Sequence, residues 1–294
     1  MKSGFVSITG RPNVGKSTLL NAILGEKIAI TADKPQTTRN RIRGIYNGDD
    51  TQIVFLDTPG IHKPRTKLGS YMTETALAAL ADVDVILFLV DSALDAGPGD
   101  RRIVEQLRQT ETPKILVISK IDCLSPEEVS RIAAEYRTLD LFADIVAVSA
   151  RQRRGIEELL KAVRARLPEG PAYFPTDLVT DRPERFLAAE IIREKLLRYL
   201  EDEVPHGVAV EIESWQEEPD LIRIGAVIYC ERASHKAIII GRGGRKLKGI
   251  GKSARQDIER LTGTKVYLRM WVKVREHWRD SASMLSELGY RDKR

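Results

Sequence analysis

The segment Gly10–Ser17, with the sequence GRPNVGKS, has the residue types and spacing of a loop that cradles phosphate groups. Glycines at both ends let the backbone curl, so that successive N–H groups point inward at phosphate oxygens. Lys16 can reach the β- and γ-phosphates of a nucleotide, and the hydroxyl of Ser17 can coordinate Mg²⁺. A strand pattern precedes the loop and a helical pattern follows it, which favours this interpretation over an incidental glycine turn.

Two further segments each end an apolar strand and complete a nucleotide site. In Asp57-Thr58-Pro59-Gly60, the carboxylate can hold Mg²⁺ through water, and the N–H of Gly60 can meet a γ-phosphate. In Ser119-Lys120-Ile121-Asp122, the carboxylate can accept two hydrogen bonds from guanine, whereas adenine lacks that pair of donors. The stem of Lys120 can lie across the base, and the N–H of Ala150, after Ser149, can meet its O6. The spacing therefore predicts a guanine nucleotide site.

A second glycine loop lies more than 200 residues later, at Gly241-Arg242-Gly243-Gly244. Small residues between two helical patterns let a nucleic-acid backbone approach, and the following helix N-terminus and basic side chains can meet phosphates. Residues 232–279 carry 14 Lys and Arg against 3 Asp and Glu, whereas residues 171–231 carry 6 against 14. The basic block is typical of a polyanion-binding surface, although by charge alone a solvated helical face fits equally well.

The elements that must position these residues change character along the chain. The first half alternates strands and helices, which predicts an α/β fold with a mostly parallel sheet flanked by helices and ligands beyond the strands' C-terminal ends. The strand candidates are residues 4–9, 39–47, 52–57, 85–90, 114–119 and 144–149. The helix candidates are residues 16–25, 69–81, 99–109, 126–138 and 155–166.

The second half predicts a smaller α+β domain in the order α-β-β-α-α-β. Its candidates are a helix at 184–202, strands at 208–215 and 222–232, helices at 234–240 and 245–262, and a strand at 265–273. A last helix is expected over 277–288. Proline-rich residues 171–183 are expected to link a domain at 1–170 to one at 184–294.

Composition sets outer limits on the class of protein. The chain of 294 residues is 42% hydrophobic, which is enough for two cores, and it has no apolar run of about 18 residues that would span a membrane. A strand pattern begins almost at the first residue, leaving no room for a signal peptide. Two distant cysteines, Cys123 and Cys230, form no metal-ligand pattern and indicate a reduced, cytoplasmic protein.

Taken together, the motifs resemble those of the Era family of translation-factor-type GTPases, and the similarity covers essentially the whole chain. The resemblance implies a P-loop GTPase domain joined to a type II KH domain, and hydrolysis of GTP to GDP and phosphate with Mg²⁺. It also implies a monomer that binds the 3′ end of small-subunit ribosomal RNA within a precursor small subunit and assists its maturation. Weak association with the inner face of the cell membrane is implied by the family alone.

The resemblance assigns roles to individual positions. The residues expected to take part in catalysis are Lys16, Thr38 and Gly60. The residues expected to bind Mg²⁺ are Ser17, Thr38 and Asp57. The residues expected to contact the nucleotide are Gly10, Arg11, Pro12, Asn13, Val14, Gly15, Lys16, Ser17, Thr18, Thr37, Thr38, Asp57, Thr58, Pro59, Gly60, Ser119, Lys120, Asp122, Ser149 and Ala150. The residues expected to bind RNA are Ile240, Gly241, Arg242, Gly243, Gly244, Arg245, Lys246, Lys248 and Lys252.

Two positions depart from the wider pattern. Ser119 stands where the family's base motif has asparagine, and the loss of one neutral hydrogen bond would weaken nucleotide binding up to about tenfold. Ile61 stands where Ras-type GTPases carry the glutamine that orients the attacking water, so intrinsic hydrolysis should be slow.

Asn13 matches a position that helps bind K⁺ in several relatives. The adjacent Thr37 stays an alternative to Thr38 as the effector-loop threonine.

Two functions fit this sequence, and a third is disfavoured. The first is a conditional clamp, in which GTP and Mg²⁺ order residues 33–43 and the segment after Asp57 and thereby favour RNA binding. The second is a constitutive RNA-binding module whose nucleotide site is weak or structural. The third, a P-loop kinase, would need an acceptor site and a lid, for which the sequence offers no candidate.

Overall fold

The computed structural model describes residues 1–34, 36–61, 64–93 and 98–290, and their chain divides into two compact units. The first unit comprises Met1–Ala29, Thr38–Pro64 and Met72–Asp181, and the second comprises Ile30–Thr37, Arg65–Tyr71 and Arg182–Arg294. Two short segments that adjoin the nucleotide motifs thus group with the C-terminal part of the chain. The domain limits at residues 170 and 183 stay predictions.

The first unit is built on a six-stranded sheet in the order β2-β3-β1-β4-β5-β6, in which only β2 runs antiparallel. Its strands are β1 (Lys2–Gly10), β2 (Ile42–Gly48), β3 (Thr51–Asp57), β4 (Val85–Val90), β5 (Lys114–Ile118) and β6 (Asp144–Ala147). Strands β4 and β5 are buried along their whole length, as expected for central parallel strands covered on both faces. The predicted mostly parallel sheet is confirmed.

Helices follow the strands and cover the sheet. They are α1 (Lys16–Leu24), α2 (Lys67–Ala78), α3 (Pro98–Leu107), α4 (Pro126–Arg137) and α5 (Ile156–Arg164). The start of α4 is fixed by its sequence: the hydroxyl of Ser125 accepts from the backbone of Glu128, whose carboxylate accepts from the backbone of Ser125. Two apolar cores result, one containing Leu19, Val85 and Leu159, and the other containing Phe88 and Ile132.

The second unit has the predicted order α-β-β-α-α-β. Its elements are α6 (Glu184–Tyr199), β7 (Ala209–Glu218), β8 (Leu221–Cys230), α7 (Ala233–Ile240), α8 (Arg245–Thr262) and β9 (Lys265–Val274). Strand β8 pairs antiparallel with β7 and parallel with β9, and the apolar sides of α6 and α8 share one core with this sheet. Among the described residues, no helix is long and apolar enough to cross a membrane.

The C-terminal end of the second unit agrees only in part with the sequence expectation. The helix expected over 277–288 is a short 3₁₀ turn, Trp278–Asp280, followed by a six-residue helix α9, Ala282–Glu287. In the preceding strand β9, Trp271 lies on the outward face and is 39% exposed. Strand periodicity identifies two faces but does not say which one is covered.

Candidate nucleotide and nucleic-acid sites

The nucleotide motifs come together at one edge of the six-stranded sheet. Strands β1, β3, β4, β5 and β6 are parallel, so their C-terminal ends meet there and deliver the loops that follow. Ligands of open α/β sheets bind at this edge. The motifs that begin at Gly10, Asp57 and Ser119, and the pair Ser149-Ala150, all follow or end these strands.

The phosphate-loop glycines adopt backbone conformations that other residues rarely reach. Gly10 has a φ of +152°, where a Cβ would lie 2.7 Å from the carbonyl oxygen of Leu89, and Gly15 has a φ of +108° and begins α1. Lys16 is buried inside the curl, and its Nζ donates to the carbonyls of Gly10 and Arg11 at 3.1 and 2.9 Å. Burial lowers the pKa of Lys16 to about 8, with Asp57 opposing the shift. A phosphate group would supply the negative partner that this buried amine lacks.

Ser17, Thr38 and Asp57 meet around one point beside Lys16. Ser17 Oγ donates to Asp57 Oδ2 at 2.6 Å and lies 2.9 Å from Thr38 Oγ1, and Thr38 Oγ1 lies 3.4 Å from the same carboxylate oxygen. Asp57 is fully buried, and its Oδ1 has no hydrogen-bond partner in the described part of the chain. Burial raises the pKa of this carboxyl above its ordinary value, although Lys16 and the two hydroxyls oppose the shift.

This oxygen cluster suits Mg²⁺ better than a transition metal. Two hydroxyls and one carboxylate are hard donors, and Mg²⁺ is usually held by one or two carboxylates together with waters and substrate phosphates. Across the described residues, no group of three or more His, Cys, Asp or Glu side chains is placed to hold a metal ion. The unpartnered Oδ1 of Asp57 is a buried acceptor that a hydrated cation would satisfy.

The two candidate threonines of the effector loop are placed differently. The hydroxyl of Thr37 donates to the carbonyls of Lys34 and Ala32, inside its own segment. Only Thr38 reaches Ser17 and Asp57, so the geometry favours Thr38 as the metal-binding threonine.

The segment after β3 has no side chain that could orient water at the position next to its glycine. The hydroxyl of Thr58 donates to the carbonyl of Ile8, and a Cβ on Gly60 would lie 2.8 Å from Pro12 of the phosphate loop. Ile61 is 5% exposed and packs in the core that contains Phe88. The isoleucine at this position is therefore part of the hydrophobic core.

The base-recognition loop is ordered by its own hydrogen bonds. Ser149 Oγ donates to Asp122 Oδ1 at 2.6 Å and accepts from the backbone of Gln152. The bond from Ser149 lowers the pKa of Asp122 below its ordinary value, so the carboxylate stays an acceptor at neutral pH. Ala150 lies in the turn that Ser149 and Arg154 close by mutual backbone bonds.

Ser119 makes a contact that sequence reasoning did not foresee. Its hydroxyl donates to the carbonyl of Val14 at 2.7 Å, and both residues are buried. A serine is too short to reach the base, but it joins the base loop to the phosphate loop. The remaining predicted residues of the phosphate loop are its Pro12, its exposed Asn13 in left-handed conformation at φ +63°, and Thr18 in the first turn of α1.

The second glycine loop has the geometry of a backbone-binding turn. Gly241, Gly243 and Gly244 have φ values of +72°, +59° and +73°, and no atom lies within 4 Å of a Cβ placed on Gly243 or Gly244. Gly244 begins α8, so free N–H groups of the helix open into the same space. Ile240 closes α7 just before the loop.

The basic side chains around this loop are available to an anion. Arg242, Arg245, Lys248 and Lys252 are exposed and Lys246 is partly exposed, and none of them forms an ion pair within the ranges that the structure describes. Charges that a protein does not neutralise itself are the ones that can release counterions on binding RNA phosphates.

Three polar residues at the nucleotide edge were missed by sequence reasoning. Asp91 and Ser92 follow β4, and Asp100 lies in the first turn of α3. Arg11 contacts all three, through bonds from Nη2 to Asp91 and Ser92 and an ion pair from Nε to Asp100. The sequence did indicate Asp91, because this residue comes at the end of an apolar strand, as Asp57 does.

The fold and the two sites define a P-loop GTPase joined to a type II KH domain. Residues 5–120 match the family model of a 50S ribosome-binding GTPase, and residues 203–279 match that of the KH domain. GTPase Era of Alkaliphilus metalliredigens is 57% identical over 291 residues, which cover 98% of this chain and 99% of the relative. GTPase Era of Clostridioides difficile is 56% identical and covers 99% of both chains. The chain belongs to the Era family of GTPases.

Solved structures of this family have the same fold over the full length. Era in complex with MgGDPNP and nucleotides 1506–1542 of 16S ribosomal RNA superimposes with a TM-score of 0.96 at 42% identity, covering 99% of this chain and 100% of that one. A variant of Aquifex aeolicus Era bound to GDP.AlF4⁻ gives the same TM-score, identity and coverage.

Proposed function

We propose that this protein is a GTP-hydrolysing switch that binds the 3′ end of small-subunit ribosomal RNA through its KH domain and assists maturation of the small ribosomal subunit. The observation that carries the proposal is the meeting of Ser17, Thr38 and Asp57 beside the buried Lys16, at the edge where Asp122 is held ready for guanine. The relative of 42% identity that binds MgGDPNP and 16S ribosomal RNA supports both ligands.

The chain's own residues supply most of the chemistry for hydrolysis. Lys16 would neutralise charge on the transferred phosphoryl group, and the N–H of Gly60 would contact its oxygens. Ser17, Thr38 and Asp57 would hold Mg²⁺, which would supply further positive charge to the phosphates. Because Ile61 is buried, no side chain at that position orients water. Intrinsic turnover is therefore slow.

We also propose that K⁺ accelerates hydrolysis through Asn13, which is exposed in the phosphate loop. Its side-chain oxygen is a suitable ligand for a monovalent cation beside the phosphates. Turnover measured in KCl should exceed that in NaCl, and Asn13→Ala should remove the difference. Equal rates for the natural protein in both salts would contradict this role.

The segment before Thr38 supports coupling between nucleotide and RNA. Ile30–Thr37 belongs to the same unit as α6, where the backbone N–H of Thr31 donates to Glu194 at 3.0 Å and Arg193 donates to the carbonyl of Thr37. Thr38 follows directly in the chain. A move of Thr38 toward a bound γ-phosphate would therefore pull on bonds within the RNA-binding unit.

The test is the affinity for an RNA oligomer from the 3′ end of the small-subunit ribosomal RNA, measured by anisotropy with GDP and with a non-hydrolysable GTP analogue. A conditional clamp binds RNA more tightly with the analogue. Equal affinities would support the alternative, a constitutive RNA-binding module with a structural nucleotide site. Competition by ATP at equal concentration would refute guanine selectivity.

We propose further that the protein is a cytoplasmic monomer that associates weakly with the inner face of the cell membrane. The family resemblance supports these points. Sedimentation of the purified chain tests the monomer, and flotation with vesicles of bacterial lipid tests membrane association.

A further inference from the structure

The carboxylate of Asp91 joins the phosphate loop to the base loop without belonging to either motif. Asp91 Oδ1 accepts from Arg11 Nη2 at 2.9 Å, and Asp91 Oδ2 accepts from Lys120 Nζ at 2.8 Å. Arg11 Nη2 also donates to Ser92 Oγ at 2.7 Å, and its Nε lies 2.8 Å from Asp100 Oδ2. Each oxygen of Asp91 thus holds one cation, and each cation comes from a different loop.

The sheet order explains why Asp91 can do this. Strand β4 lies between β1, which leads into the phosphate loop, and β5, which leads into the base loop. Asp91 is the first residue after β4, so its carboxylate projects between the two loops. The side chains of Arg11, Asp91 and Lys120 are 28%, 25% and 43% exposed, and ion pairs this accessible contribute little to folding stability.

The two ion pairs of Asp91 can, however, fix the orientation of the Lys120 and Arg11 side chains. Lys120 has a left-handed backbone conformation, φ +56°, and a long side chain with many rotamers. An amine held by Asp91 restricts the aliphatic stem to one course over the position expected for the guanine ring. The same carboxylate holds Arg11, whose carbonyl accepts from Lys16.

We propose that Asp91 is a positioning residue for guanine nucleotide binding, acting through Lys120 of the base loop. The inference rests on the proposed guanine nucleotide binding. It adds a residue outside the recognised motifs and assigns it to the base-dependent part of affinity.

The test separates positioning from simple electrostatics by the sign of the effect. Asp91→Asn removes a negative charge near the phosphates, which by Coulomb's law should leave unchanged or tighten the binding of an anion without a base, such as inorganic triphosphate. Loss of positioning should instead weaken GDP binding about fivefold, which corresponds to the free energy that a solvent-accessible ion pair contributes. Asp49→Asn is the matched control, because Asp49 is exposed in the turn between β2 and β3, at the opposite end of the sheet.

A double-mutant cycle with Lys120→Met checks the route. Methionine keeps an apolar stem but cannot pair with Asp91, so Lys120→Met alone should weaken GDP binding by a similar factor. In the Lys120→Met background, Asp91→Asn should weaken GDP binding by less than a further twofold. The proposal would be overturned if Asp91→Asn left the affinity for GDP unchanged. It would also be overturned if the affinities for GDP and for triphosphate fell by the same factor.

Two further outcomes are assigned in advance. If Asp91→Asn does not fold, Lys120→Met decides, and it must lose GDP affinity while it retains a thermal midpoint equal to that of Asp49→Asn. If the unsubstituted protein does not bind GDP, the proposed function fails. If the unsubstituted protein binds GDP, and Asp91→Asn and Lys120→Met bind GDP as tightly as it does, only the role of Asp91 fails.

Discussion

The bond from Ser119 to Val14 makes a sharp prediction for Ser119→Ala. The substitution removes the hydroxyl that donates to the Val14 carbonyl at 2.7 Å, where Ser119 is 4% and Val14 1% exposed. A buried acceptor left unpaired costs about 1–3 kcal/mol. For a unit of this size each kcal/mol lowers the thermal midpoint by about 2–4 °C, so the nucleotide-free variant should unfold roughly 2–12 °C lower.

The effect on nucleotide affinity should be smaller than the effect on stability. The bond joins two protein loops and exists without nucleotide, so most of its loss appears in the free energy of unfolding. We expect GDP affinity to fall by less than about tenfold, because the two loops remain joined through Asp91 and the bond from Ser149 still holds Asp122. Circular dichroism melting and fluorescent GDP titration measure the two quantities on one sample.

The chain offers a matched control in Ser7→Ala. Ser7 lies in β1, is fully buried, and its Oγ has no hydrogen-bond partner within the described ranges. Removing that hydroxyl should leave the midpoint unchanged or raise it slightly, since an unsatisfied polar atom is removed. If Ser119→Ala and Ser7→Ala melt within about 1 °C of each other, the Ser119 bond contributes nothing and the reasoning fails.

Three other outcomes follow from the structure. Lys248→Ala should weaken binding of single-stranded RNA and lower the slope of log affinity against log salt by about 0.7, the value for one phosphate contact, and an unchanged slope in salt titrations would exclude the contact. Burial raises the pKa of Asp100 from 3.8 to about 6, so its charge destabilises the fold above pH 6 and this penalty disappears as the pH falls toward 4. The free energy of unfolding of Asp100→Asn relative to the unsubstituted protein should therefore be higher at pH 7 than at pH 4, by at most about 3 kcal/mol, whereas a constant difference in denaturant titrations would contradict that pKa. Exchange of the Thr31 amide should be equally slow with GDP and with a GTP analogue, because its acceptor Glu194 is fully buried, and faster exchange in either state would show that the segment detaches.

Much of the fold and of the nucleotide site could be predicted because each depends on local patterns. Alternating apolar strands and helices predicted the parallel sheet, and the motifs that end these strands had to meet at one edge. The contacts that tie the loops together could not be predicted. The bonds of Ser119 to Val14 and of Lys120 to Asp91 join residues 105 and 29 positions apart, and no periodicity records such pairs.

Helix α6 shows the same limit in the second unit. The sequence predicts a helix here, and charged residues ordinarily lie at the surface, yet Glu190, Arg193, Glu194 and Lys195 are all buried. Arg193 pairs with Glu190 and Lys195 with Glu194 inside the helix. The other partners come from elsewhere in the chain: the segment around Thr31 and Thr37, and Asp257 of α8, which pairs with Lys195. Residue type alone places charges at the surface unless such long-range partners are known.

The buried charges of α6 also constrain how the proposed switch can work. The segment Ile30–Thr37 contacts them through two neutral backbone groups, the N–H of Thr31 and the carbonyl of Thr37, and each hydrogen bond to a charged group contributes about 1.5–3 kcal/mol. Coupling between two ligands of one protein typically amounts to only about 1–3 kcal/mol. A nucleotide that detached Ile30–Thr37 from Glu194 and Arg193 would have to exceed that range. The segment therefore moves together with α6, and a nucleotide-dependent change must fall at the joint between Thr37 and Thr38, where the chain passes from one unit to the other.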